Sequence, residues 1–294
     1  MTAITNGAAT EVGRHAGAPV SGAGRVSFPH VMKSEWIKFF TLRSTYWTLG
    51  LTVVGMVLFA LMMASGASFI AESSEGADLS GFGVTVATFG YLAGQITVAV
   101  LGALIITGEY TTGMIRSTMT AVPKRLPALF AKGVVLAIVT FVTASVGVFA
   151  SYLVTLPILS QYDMQADLGD SETWRVFLGA GLYVMAIALL AFGIGALLRN
   201  SAGAIAAVLG IVLLIPIVVS IASMNLEWVA NLAPYLPSAA GERIMAIDGG
   251  MSAIEGEPPG GEPPLTPWQG IGLLGAYVAA IFAAACVLLR RRDV

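Results

Sequence analysis

Charge is what this chain of 294 residues has least of. Asp, Glu, Lys and Arg together make up 11% of it, against about 25% in an ordinary soluble domain. A single cysteine, Cys286, excludes an intrachain disulfide, and it reads as a small packing residue within an apolar run. The two histidines, His15 and His30, lie near the N-terminus. They leave no HExxH zinc pair and no base for a serine nucleophile. No segment matches GxxxxGK[ST], the loop that wraps nucleotide phosphates. A net charge of −2 gives no basic field for nucleic acid. Enzyme chemistry is therefore not expected of this chain, nor a metal or cofactor of its own. What it has instead is 56% hydrophobic residues and a mean hydropathy of +0.83.

The few charges are sorted along the chain. Charge-free windows run over 44–71, 79–108, 133–162, 176–198, 200–226 and 263–289. A bilayer-spanning helix needs about 20 residues, and a charge at its centre costs about 2.5–3.5 kcal/mol on insertion scales. The runs are continuously apolar rather than alternating, which disfavours membrane strands. The expected fold is an all-α integral membrane protein with six transmembrane helices, at about 46–69, 82–107, 133–157, 176–198, 202–223 and 269–289. With both termini on one side, every Lys and Arg falls on that side except Arg175 and Arg243. Cation bias of this kind marks the cytoplasmic face, so both termini are expected in the cytoplasm.

Residues 1–30 are rich in Ala and Gly, lack the apolar core of a cleavable signal, and read as a disordered cytoplasmic tail. The longest exterior segment is 224–269. Its stretch EGEPPGGEPPLTP is too turn-prone for a regular helix, whereas 225–247 fits short helices at the outer surface. Within the spans, Gln95 is the foremost polar candidate, beside hydroxyls such as Thr97, Thr140, Thr143, Ser145 and Ser220. Ion coupling normally needs ionisable groups there, so it is not expected. Asp163, Asp167 and Asp170 have spacings that suit a cation and equally suit a solvated loop. Gly90 and Gly94, and Gly272, Ala276, Ala280 and Ala284, are small residues at the four-residue spacing of packed membrane helices.

Two features lie on the cytoplasmic side. Residues 31–44, VMKSEWIKFFTLRS, place Met32, Trp36, Phe39 and Phe40 on one helical face and Ser34, Lys38 and Thr41 on the other. That pattern suits an amphipathic helix against membrane lipid, with Trp36 at headgroup depth and Lys38 and Arg43 toward anionic lipid; a plain basic flank is the alternative. Residues 108–125, GEYTTGMIRSTMTAVPKR, form a charged insert between two apolar runs. Glu109 marks the end of the second span, and 111–119 fits a short helix containing Gly113, Met114, Ile115 and Arg116. Pro123 then turns the chain toward Arg125 and the third span. A short helix joining two long ones is a lever that a partner can press, although a solvated basic loop fits the same residues.

The segments SEWIKFFTLRSTYW, GEYTTGMIRSTMTAVPKR and YLPSAAGERIM, with the span count and order, resemble the permease subunits of type-2 ATP-binding-cassette transporters, above all actinobacterial stand-alone permeases. The likeness covers about residues 31–292. It implies a connecting or elbow helix at 31–44 carrying Trp36, Lys38 and Arg43, and a coupling helix at 110–119. Glu109, Tyr110, Gly113, Met114, Arg116 and Arg125 would form or steady that element. It also implies a separate cytoplasmic ATPase holding ATP and magnesium, and a second permease copy in a homodimer or with a related permease. Alternating access in the cell membrane, exporting a small molecule, lipid or peptide, follows from the same resemblance. A membrane anchor or scaffold that recruits a cytoplasmic partner without transport is the other reading of these features.

Overall fold

The computed structural model describes residues 28–73, 79, 81–111, 113, 125–247 and 264–291. Within them the chain is helical, without strands. Helix α1 spans Phe28–Thr41, and Leu42 breaks it with extended backbone at φ −81°, ψ 115°. The first long element is α2, Arg43–Ala64, continued after a turn at Ser65 and Gly66 by α3, Ala67–Ser73. The second is α4, Phe82–Thr88, and α5, Tyr91–Thr111, separated by a turn at Phe89 and Gly90. Then come α6, Arg125–Leu159, and α7, Ser171–Leu198. The fifth is α8, Ser201–Leu209, a π-helical stretch Gly210–Leu214, and α9, Ile215–Ser223. Short helices α10, Glu227–Leu232, and α11, Pro237–Glu242, precede the last long helix α12, Pro267–Arg291.

Six of these stretches are long and apolar enough to cross a membrane: Arg43–Glu72, Phe82–Thr111, Leu126–Tyr162, Ser171–Leu198, Ser201–Ser223 and Pro267–Leu289. In lipid the helix is the only open-ended element that satisfies its own backbone, and the polar side chains follow the same rule. Thr97 donates to Gly94 O at 2.9 Å and Thr140 to Leu136 O at 2.8 Å, while Thr52 and Thr97 share a hydrogen bond of 2.8 Å between two spans. The π-helical stretch ends two residues before Pro216, which has no N–H for a regular turn. The helix that carries the third span begins at Arg125, eight residues before the apolar run that starts at 133. Pro127 is tolerated in its first turn, where an N–H would lack a partner anyway.

Helix α7 is the hub. It packs on α5, α6 and α12, and Phe177, Tyr183 and Phe192 are wholly buried along it. Close approach depends on small residues. Met56 of α2 fits into a notch formed by Gly90, Gly94 and Gly147; a Cβ added at Gly90 would lie 2.5 Å from Met56 Cα. The Gly90/Gly94 pair thus serves packing within the chain. The Gly272, Ala276 and Ala280 stripe on α12 is exposed on this single chain.

The stretch 225–247 holds short helices, α10 and α11, as its composition had led us to expect. Helix α11 packs into the bundle: a Cβ added at Gly241 would fall 2.5 Å from Leu274 Cδ2 of α12 and 2.7 Å from Tyr183 Cδ2 of α7. Residues 248–263, including most of the Pro/Gly-rich stretch, and residues 1–27, expected as a disordered tail, lie outside the described residues.

The packing at Gly90 predicts a sharp contrast between two glycines. Gly90→Ala meets backbone atoms of Met56 that cannot yield easily, and overpacking of this kind typically costs about 1–3 kcal/mol. Gly50→Ala, with open space around its Cβ, is neutral or slightly stabilising. Denaturation of the purified protein in mild detergent, followed by circular dichroism, should separate the two.

Candidate functional site

The candidate site lies at the end of the bundle where α1 packs against α6. Helix α1 turns Val31, Glu35 and Phe39 inward, at the i, i+4, i+8 spacing of one face. Sequence periodicity had grouped Phe39 with Trp36 on a lipid face. In the fold Phe39 is buried, whereas Trp36 is 41% exposed and lies tilted against Phe40 with centroids 5.1 Å apart. Lys38 lies toward the rim, and Arg43 is exposed at the start of α2.

Inward-facing Glu35 meets two cations. Its Oε1 accepts from Lys38 Nζ at 2.7 Å, and its Oε2 lies 2.8 Å from Lys132 Nζ on α6. Lys132 Nζ also donates to Glu109 Oε1 at 2.6 Å. Glu109 is in the last turn of α5, so one ammonium holds α1, α5 and α6 together. Glu35, Glu109 and Lys132 are all buried. A buried charge is tolerated when paired, and removing one partner strands the others. Burial pushes the Glu35 carboxyl up, but Lys132 and then Lys38 pull harder in the other direction and leave it below its ordinary value of 4.5.

The neighbouring residue, Tyr110, lies beneath the guanidinium of Arg199, with Arg199 Cζ 5.1 Å from the ring centroid. This is a cation–π contact. Arg199 occupies the left-handed region at φ 54°, in the two-residue turn between α7 and α8, and Asn200 caps α8 by accepting from Gly203 N at 2.8 Å. The turn thereby presents the arginine to the end of α5. Gly113, at φ 71°, follows α5 in a conformation that suits a residue without Cβ.

These observations bring Glu109, Tyr110 and Lys38 into one cluster, with Gly113 just beyond α5. Met114 and Arg116 lie outside the described residues, as does the side chain of Arg125, whose backbone opens α6. Sequence reasoning missed Glu35, Lys132 and Arg199 as members of the cluster. The available signal was Glu35 itself, the only acid in an otherwise basic flank. The acidic loop residues play structural parts: Asp170 caps α7 by accepting from Glu172 N at 3.0 Å, and Asp167 accepts from Gly169 N at 2.7 Å. No group of three His, Cys, Asp or Glu able to hold a metal occurs among the described residues.

No protein-family model matches this chain, and no curated protein matches it.

Two outcomes follow from the ion-pair cluster. Lys132→Met leaves two buried carboxylates facing each other and should lower stability by about 3–5 kcal/mol. Combining it with Glu35→Gln and Glu109→Gln should recover most of that loss in the same denaturation assay. The Glu35 contribution depends on the ionised carboxylate, whose folded value is depressed. It is therefore complete above 4.5 and fades as pH falls through the lower folded value. An acid titration of stability should show a loss that is reduced in Glu35→Gln.

Proposed function

We propose that this chain is the membrane subunit of an ATP-driven exporter of the type-2 ATP-binding-cassette class, in the cell membrane, with both termini in the cytoplasm. The observation that carries the reading is the single ammonium of Lys132 clamping Glu35 of α1 and Glu109 of α5. It fastens the helix before the first span to both roots of the basic segment between α5 and α6. Pressure on residues 112–124 then loads three helices together instead of bending one loop. In this reading α1 acts as the elbow helix, with Trp36 and Lys38 on it and Arg43, just past the break at Leu42, at the lipid boundary. Residues 110–119 are the coupling element, in which Tyr110, Gly113, Met114 and Arg116 meet a separate cytoplasmic ATPase, and Arg125 steadies its far end.

ATP and magnesium belong to that partner. Its closure on ATP drives the spans from inward- to outward-facing, and hydrolysis resets them. A second copy of the permease, or a related one, completes the pathway. The cargo class is a small molecule, lipid or peptide.

Arg116→Glu is the direct test. The tagged chain, purified in mild detergent from its native host, should bring down a P-loop ATPase in stoichiometric amount. The variant should reach the membrane at normal level yet lose that partner and transport with it. Wild-type transport by Arg116→Glu would sink the assignment. An ATPase partner whose activity ignores every transported compound would favour the anchor reading instead.

A further inference from the structure

The guanidinium of Arg199 has an edge without an acceptor. Its Nε and Nη2 are buried, and neither reaches a hydrogen-bond partner. These two N–H groups lie on one side of the guanidinium, the fork that meets two oxygens of a carboxylate or phosphate at once. The hydroxyl of Tyr110, over whose ring the guanidinium lies, is likewise buried and unpartnered. One contact thus gathers two N–H groups and a hydroxyl that nothing in the protein satisfies. A buried donor left unmatched is costly, and more so on a charged group.

The pair is held in place by the helices that carry it. Gly195 of α7 sits so close to α5 that an added Cβ would fall 2.7 Å from Ile106 Cγ2 and 3.1 Å from Ala103 O. Tyr110 follows Ile106 by four residues, and Arg199 follows Gly195 by four. One helical turn therefore carries the tight crossing to the phenol and the arginine. The Arg199 N–H donates to Gly195 O at 2.9 Å and closes α7.

The neighbouring carboxylates are taken. Lys132 holds both Glu109 and Glu35, and Lys38 adds a second cation to Glu35. Among the described residues at this end of α5, the arginine is the cation that no carboxylate meets. Its position names the kind of anion that fits. Arg199 and Asn200 make up the whole turn between two candidate spans, Ser171–Leu198 and Ser201–Ser223. Such a turn lies at the rim of the apolar layer, at the depth of lipid phosphates, and basic pockets between spans take phosphate headgroups there. Leu198 beside it is exposed. Arg199 as a whole is only part-buried, so rotation of its long side chain turns the fork toward that rim.

We propose that Arg199 and Tyr110 form a phosphate-binding site at the membrane rim. Nε and Nη2 of Arg199 donate to two phosphate oxygens, and the Tyr110 hydroxyl donates to one of them. A lipid headgroup and free phosphate present the same oxygens; the turn between two spans favours the lipid. This inference stands on the fold and does not require an ATPase partner.

The test titrates the full chain, delipidated in neutral detergent, with dioleoyl phosphatidylglycerol and reads bound lipid by native mass spectrometry. The wild-type chain should hold one lipid saturably, ahead of any others. Arg199→Met, which keeps the bulk of the stem, should lose that lipid. Arg199→Lys, which keeps the charge without the fork, should weaken it roughly tenfold, and Tyr110→Phe should weaken it less. Lys33→Met, at an exposed cation of α1, should leave it unchanged. Excess inorganic phosphate separates the sources: a lipid that stays bound marks the headgroup as the ligand, and phosphate that binds with the same Arg199 dependence marks the free ion. A wild-type chain that holds neither saturably overturns the proposal without recourse to any variant. A lipid retained equally by Arg199→Met overturns it too.

Discussion

Polar groups leaving water must be paired, and this constraint shapes the helix bundle in two places. Near α1, one ammonium is set between two carboxylates, with a second lysine at the rim. Where α11 meets the hub, a half-buried carboxyl is placed beside a phenol and an amide. The first arrangement joins three helices that are far apart in sequence. The second fixes a short helix from outside the spans against the hub. Each cluster is small, yet together they decide which elements move as one body.

Between the clusters, stability comes from closeness. Glycines at 90, 94 and 147 let the thioether of Met56 sit against neighbouring backbone, where dispersion and shape replace the hydrophobic drive that lipid cannot supply between spans. Such packing has little slack. A bundle built this way shifts by moving whole helices against one another, which is the kind of motion that a clamp at one end can direct.

The six spans were legible because charges avoid apolar layers, so gaps between charges map the helices. The same logic did not show that the third long helix starts before its apolar run. Lys132 reads as flank, yet it is buried because Glu35 and Glu109, from elsewhere in the chain, meet it. The breaks at Gly66 and Gly90 were hidden among many other glycines. Gln95 stood out as polar in an apolar run, but its partner Tyr183 is 88 positions away and no local pattern links them. Periodicity grouped Phe39 with Trp36; the burial of Glu35 rotates α1 so that Phe39 faces protein instead. The entry of α11 among the spans was illegible for a similar reason. Short segments carry little periodic signal, and their placement rests on small-residue contacts at Gly241 and Gly270.

Helix α6 has a mechanical property that its sequence does not advertise. Its 35 residues extend to about 52 Å, whereas a bilayer's hydrocarbon layer is about 30 Å thick. The surplus is taken up by projection beyond the lipid or by inclination within it. Any inclination is shared by α1 and α5, because Lys132 rivets them near the same end. A thicker membrane draws the helix upright and a thinner one lays it over. Lipid composition thereby becomes a mechanical load on the roots of the segment between α5 and α6, applied without any ligand.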